Sequence, residues 1–191
     1  MDGRRAPEYA LELSADRSNI KDVVKGALHT IFFHRCFIPL QPATHDILEL
    51  TLPYVSEDDI ETLIEQRTNS FLRALDSAST SQSPQSQPRP GKGQLVVQFL
   101  EKKRRKGWFV AKADEETVWE SWVIDVTLTS ARSEPEAARN RRQMEKQLQT
   151  AAMAIIETAN GEKDHIPPIT STDSNPFPYQ ILVNPKGDSQ R

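Results

Sequence analysis

A single cysteine, Cys36, stands in this chain of 191 residues, so no intrachain disulfide can form. A secreted domain of this size more often carries paired cysteines, and their lack favours a reducing compartment. Long apolar runs are also missing. The longest apolar cluster, Ala27 to Ile38, is broken by His29, His34 and Arg35, and a membrane span needs roughly 20 apolar residues. The opening MDGRRAPEY carries no apolar stretch behind its arginines, so no secretory signal is expected and the expected location is cytoplasmic. Charge of one sign is not in excess either: 24 basic against 27 acidic residues leave a net −3, which provides no global attraction for nucleic acid or membrane. Phosphate-binding glycine loops of the GxGxxG or GxxxxGK[ST] kind are absent, as are CxxC and HExxH. No cofactor and no metal site are therefore expected.

What is present is enough apolar material, 37 % of residues, for one real core with polar appendages. Residues 8–14 alternate, with Tyr9, Leu11 and Leu13 on one face, as a half-buried strand does. Ser18 is placed to cap a helix whose stripe is Ile20, Val23, Val24, Ala27, Leu28, Ile31 and Phe32, bounded by Pro39 and Pro42. A second alternation, 46–52, puts Leu48, Leu50 and Leu52 inward as one strand. Ser56 and Asp59 form a capping-box pattern, with Val55 and Ile60 as a hydrophobic staple. The helix they open carries the stripe Ile60, Leu63, Ile64, Phe71 and Leu75 to about residue 76, with Arg67 at its rim. Residues 77–93 (SASTSQSPQSQPRPGKG) hold no aliphatic side chain beyond Ala78 and read as a disordered insertion.

Strands over 94–101 and 117–129 read as an antiparallel pair, with Trp122, Ile124, Val126 and Leu128 on one face. Their connection carries the basic run Lys102, Lys103, Arg104, Arg105 and Lys106, then Gly107, Trp108 and Phe109. Asp114, Glu115 and Glu116 read as a solvated loop. Ser133 and Glu136 make a second capping box, with Pro135 in the first turn. That helix runs to Asn160-Gly161 at about 39 Å, its stripe Met144, Leu148, Ala151, Ala152, Ile155, Ile156 and Ala159. A last strand, 177–183, places Phe177, Tyr179, Ile181 and Val183 on one face, and residues 185–191 form a flexible tail. The order β-α-β-α-β-β-α-β is not a doubly wound alternation. It fits an α+β domain, helices against one side of a mostly antiparallel sheet.

No acid/base pair or activated nucleophile stands out, so the chain is expected to be non-catalytic and to bind proteins. Cys36 lies two residues past His34, but adjacency along a chain implies no activating geometry. His34 shares the side of the core stripe and is expected to be partly buried against a backbone carbonyl. The acidic cluster Glu57, Asp58, Asp59 and Glu61 suits a helix's first turn. Two features ask for more. Gly26, His29 and Phe33 share the face of the first helix opposite its stripe, and a mid-helix glycine costs about 1 kcal/mol. A second element, from this chain or a partner, should pack closely there. Trp108 and Phe109 behind KKRRK either fold back or stand exposed as interface anchors. The same composition could stack on nucleobases or meet an anionic lipid surface.

The segments LHTIFFHR (Leu28 to Arg35), KKRRKGWF (Lys102 to Phe109), WESW (Trp119 to Trp122) and HIPPI (His165 to Ile169), in this order and spacing, resemble the autophagy-related protein 101 family of HORMA-domain proteins. The resemblance spans nearly the whole chain. It implies one HORMA domain over 1–191, with three helices packed on a mostly antiparallel β-sheet and no enzymatic activity. It implies a heterodimer with the HORMA domain of autophagy-related protein 13, which this chain would stabilise as a subunit of the autophagy-initiation kinase complex. Trp108 and Phe109 match that family's Trp-Phe finger, which recruits downstream factors at the autophagosome assembly site. The two are adjacent here, whereas some members separate them by a residue. The partner face is placed on His29, Phe33, His34 and Arg35. A membrane-surface contact fits the basic finger, nucleic acid is not expected, and a fixed, open-like conformation without peptide capture is expected.

Overall fold

Strand-type alternation over the first apolar segment makes β1 (Glu8–Asp16), which buries Leu11, Leu13 and Ala15 and leaves Glu8, Ala10 and Glu12 outward. The computed structural model describes residues 5–80, 91–103, 115–170 and 174–185. After β1 come α1 (Ile20–Arg35), β2 (Ala43–Ile47), β3 (Leu50–Tyr54), α2 (Asp58–Thr80), β4 (Lys92–Lys103), β5 (Glu115–Thr129), α3 (Glu134–Gly161) and β6 (Tyr179–Val183). Four strands form one sheet in the order β1-β5-β4-β6, and β2 and β3 form a separate antiparallel pair. Within the larger sheet β1 lies parallel to β5, while β4 is antiparallel to both β5 and β6. The three helices lie against this sheet: α3 over β1, α2 over β4 and β6, and α1 between them. The fold is α+β, as expected.

The core fills the space between sheet and helices. Val23, Val24, Leu28, Ile31 and Phe32 of α1 are wholly buried, as are Trp122 and Ile124 of β5 and Leu148 and Ile155 of α3. Capping fixes where helices begin. Ser133 Oγ accepts from the Glu136 amide at 3.4 Å, so the expected Ser133 cap opens α3, while Glu136 Oε2 accepts from the Arg132 amide, one residue before the cap, at 2.8 Å. For α1 the N-cap is Asn19 instead of Ser18, without a side-chain cap bond, and Asp16 holds the turn before it. Asp16 Oδ1 accepts from the amides of Ser18 and Asn19, both at 3.0 Å. Burial would raise the Asp16 pKa, but these bonds outweigh it and hold it below its usual value. The start of α2 likewise falls one residue later than Ser56 predicts, with Glu57 O accepting from Glu61 N. Val55 and Ile60 are both wholly buried there.

Four readings are corrected. Residues 46–52 are not one strand: the chain reverses after Ile47, with Leu48 at φ 56, and Leu50 returns opposite Ile47. Ile47 and Leu52 are buried, and Leu48 and Leu50 only partly so. The buried seam of α2 is Ile60, Ile64, Thr68, Phe71 and Leu75, and Arg67 is exposed. Residues 77–80 continue α2, and 92–93 already belong to β4; residues 81–90 lie outside those described. Gly93 is required by close approach, since a Cβ there would stand 2.5 Å from the buried Phe71 ring. Glu115 and Glu116 open β5 instead of forming a loop, paired in register with Lys103 and Lys102.

Candidate functional site

The β4–β5 pair outruns its neighbours. β6 covers β4 only over Leu95–Phe99, and β1 pairs β5 only from Ser121 onward. Beyond a register shift between Phe99 and Leu100, four further pairs from Leu100↔Val118 to Lys103↔Glu115 continue as a two-stranded ribbon. A bulge of this kind bends a strand and re-aims the residues beyond it. The ribbon leads into residues 104–114. Arg104, Arg105, Lys106, Trp108 and Phe109 therefore lie outside the described residues, while Lys102 is exposed at the ribbon's end.

At the ribbon's other end, three of the segments that carry the family resemblance meet. Arg35, last residue of α1, is 2 % exposed, and Glu120 of β5 is 0 % exposed. The arginine Nε stands 2.9 Å from both carboxylate oxygens. Its Nη1 donates to Ala159 O at 2.9 Å and Nη2 to Glu162 O at 2.8 Å. Those carbonyls sit at the C-terminal end of α3, where backbone acceptors are unpaired and the dipole favours a cation. Glu120 also accepts from Trp122 Nε1 at 2.6 Å and meets His165 Nε2 at 2.8 Å. Facing a carboxylate, that imidazole nitrogen is the donor. One buried carboxylate thus ties together the end of α1, the middle of β5, the end of α3 and the loop after it. Aromatic rings close the cluster: Tyr9 on Trp122 at 4.8 Å, and Trp119 between Phe99 and Phe177 at 5.7 and 5.2 Å. The signal for Glu120 was available, because it shares the inward phase of Trp122, Ile124 and Val126, where a carboxylate needs a cation.

The face assigned to a partner divides in two. His29 is 2 % exposed and, like Arg35, turns into the chain's own interior, so neither presents a surface. The element that packs on Gly26 is the β2–β3 hairpin: a Cβ there would meet Ile47 Cδ1 at 2.6 Å and Leu52 Cδ1 at 3.1 Å. Phe33 and His34 remain half-buried near the end of α1, their rings edge-to-face at 5.4 Å, and Phe37 beyond them is 36 % exposed. His34 Nε2 has no partner among the described residues, so the expected carbonyl is not there. Burial, then Arg35, pushes the His34 pKa down. Cys36 is pushed up to about 12 by burial, which leaves its thiol protonated and unreactive. Among the described residues no group of three or more His, Cys, Asp or Glu could hold a metal ion, and no helix is long and apolar enough to cross a membrane.

His29 has a measurable consequence. Its ring stacks on Tyr54 with centroids 4.0 Å apart, and Nδ1 accepts from Val55 N at 3.3 Å, which places the ring proton on Nε2. Burial, then Lys25 and His45, lowers its pKa from 6.5 to about 4. The unfolded chain therefore binds this proton at a pH where the folded chain does not. The stabilisation is fully present above pH 6.5 and is lost as pH falls toward 4. Between pH 7 and 4.5 this amounts to roughly 2–3 kcal/mol. Urea unfolding across that window should show the loss in the wild type and a flatter profile in His29→Phe. Equal slopes would contradict the assignment. Glu65, held down at about 2 chiefly by Lys21 and Lys25, titrates below this window.

Three helices on a four-stranded mixed sheet, with a separate two-stranded pair, make this an α+β domain of HORMA type. The profile of the family described as Autophagy-related protein 101 matches residues 12–173. The chain belongs to that family. A relative of that name from Arabidopsis thaliana is 25 % identical, covering 93 % of this chain and 86 % of its own length. One from Schizosaccharomyces pombe is 23 % identical over 91 % and 84 %. One from Xenopus tropicalis is 24 % identical over 90 % and 85 %.

Proposed function

We propose that this autophagy-related chain is a non-catalytic adaptor of the autophagy-initiation kinase complex. It pairs with the HORMA domain of autophagy-related protein 13, stabilises it, and recruits downstream factors through Trp108 and Phe109. It works in the cytoplasm and at the autophagosome assembly site. The observation that carries this reading is the β4–β5 ribbon, which runs past the rest of the sheet and leads to the basic, aromatic segment. A strand pair that outreaches its sheet is a suitable mount for an interface anchor, because it is rigidly based in the sheet. Lys102 stands opposite Glu116 in the ribbon, which offsets part of the basic run. That favours a protein target over anionic lipid or nucleic acid, which draw their affinity from uncompensated positive charge.

The dimer face is then the surface part of α1, Phe33 and His34, together with Phe37. Isothermal titration of the chain with the partner HORMA domain tests it. His34→Asp with Phe37→Ala is expected to weaken binding at least ten-fold with an unchanged circular dichroism spectrum. Unchanged affinity would move the dimer face elsewhere.

A further inference from the structure

A groove of about 670 Å³ runs beside the buried Arg35–Glu120 cluster, bounded by the start of β1, the β4–β5 ribbon and the loop after α3. We infer that it is a docking site for an extended, basic, proline-containing segment of a partner protein. It is lined by the rings of Tyr9, Trp119 and His165 with Pro167 and Pro168. Aromatic grooves of this make-up take polyproline II chains, whose extended form is already ordered and whose carbonyls are free. Trp119 is 6 % exposed, so its ring forms the groove's floor and presents only an edge to an occupant. Ile169, just past Pro168, is 57 % exposed, which extends the apolar surface beyond the groove.

The lining side chains are held in place from beneath. His165 is fixed by Glu120, and Glu120 by Arg35. Trp119 is wedged between Phe99 and Phe177. A preformed site of this kind loses little freedom on binding. Charge selects the occupant: the exposed carboxylates of Glu162 and Asp164 line the rim, against Arg5 as the one arginine or lysine among the described lining residues. A basic segment is favoured and an acidic one repelled. This site uses neither Trp108 and Phe109 nor Phe33 and His34, and its test reads Glu162 and Asp164, so it stands or falls separately from the adaptor reading.

The test is selection of a phage-displayed random peptide library of about twelve residues on the full chain, repeated on Glu162→Lys with Asp164→Lys. Both side chains are exposed, and positive charge at the end of α3 suits its dipole, so the double variant should fold. The expected peptides are rich in arginine or lysine and proline. They should bind the double variant at least ten-fold more weakly and weaken with added salt. Their titration should shift the nuclear magnetic resonance signals of the Trp119 indole and the His165 ring. Acidic winners, equal binding to the double variant, shifts confined to other residues, or no enrichment would each overturn the proposal.

Discussion

Arg35→Ala is expected to destabilise the protein by roughly 3–5 kcal/mol, because it strands a carboxylate that has no route to water. Glu120 is 0 % exposed, and its remaining partners would be Trp122 and His165. The substitution also frees the carbonyl of buried Ala159 at the end of α3, and an unpaired buried acceptor costs about 1–3 kcal/mol. In a chain of this length a loss of that size lowers Tm by roughly 6–20 °C. Removing both charges, as Arg35→Met with Glu120→Leu, should recover part of the loss, since a buried pair is often replaceable by apolar groups. Recovery stays incomplete because the buried Ala159 carbonyl remains unpaired. Thermal unfolding of the two singles and the double closes the cycle. A single variant within about 1 kcal/mol of wild type would mean that the pair is not buried in solution.

Trp108→Ala combined with Phe109→Ala should leave folding and heterodimer formation intact and abolish recruitment of downstream factors. The two rings follow the ribbon that extends beyond β6 and β1, so the expected loss is of binding and not of core. Large aromatic anchors at interface centres each contribute about 2 kcal/mol or more, and losing two reduces affinity by roughly a thousand-fold. Pull-down of the assembled complex with the double variant measures this, with melting temperature as the control. A variant that melts many degrees lower would mean that these rings belong to the fold and that the adaptor uses another surface.

Local chemistry explains which parts of this fold could be read in advance. The Ser133 cap and the 3.6-residue stripes of α1 and α3 act within a few residues, so the sequence displays them directly. The β2–β3 hairpin was hidden because its turn has neither glycine nor asparagine. Leu48 takes up φ 56 in a stretch that otherwise alternates like one strand. Thr68 escaped notice because a threonine in a helical seam carries no apolar signature, yet it is wholly buried. Gly26 announced a close neighbour, and only tertiary structure could show that the neighbour is the chain's own hairpin. The same limit governs the partner face: His29 and Arg35 lie on the surface of an isolated helix and become interior once Tyr54 and Glu120 arrive. Arg35, Glu120 and His165 are far apart along the chain, and no spacing rule joins them.

Light scattering coupled to size-exclusion chromatography, on this chain alone and mixed with the HORMA domain of autophagy-related protein 13, tests the adaptor reading most directly. The account predicts a new peak with the mass of a one-to-one complex. Two unshifted peaks, with both proteins shown to be folded, would contradict it.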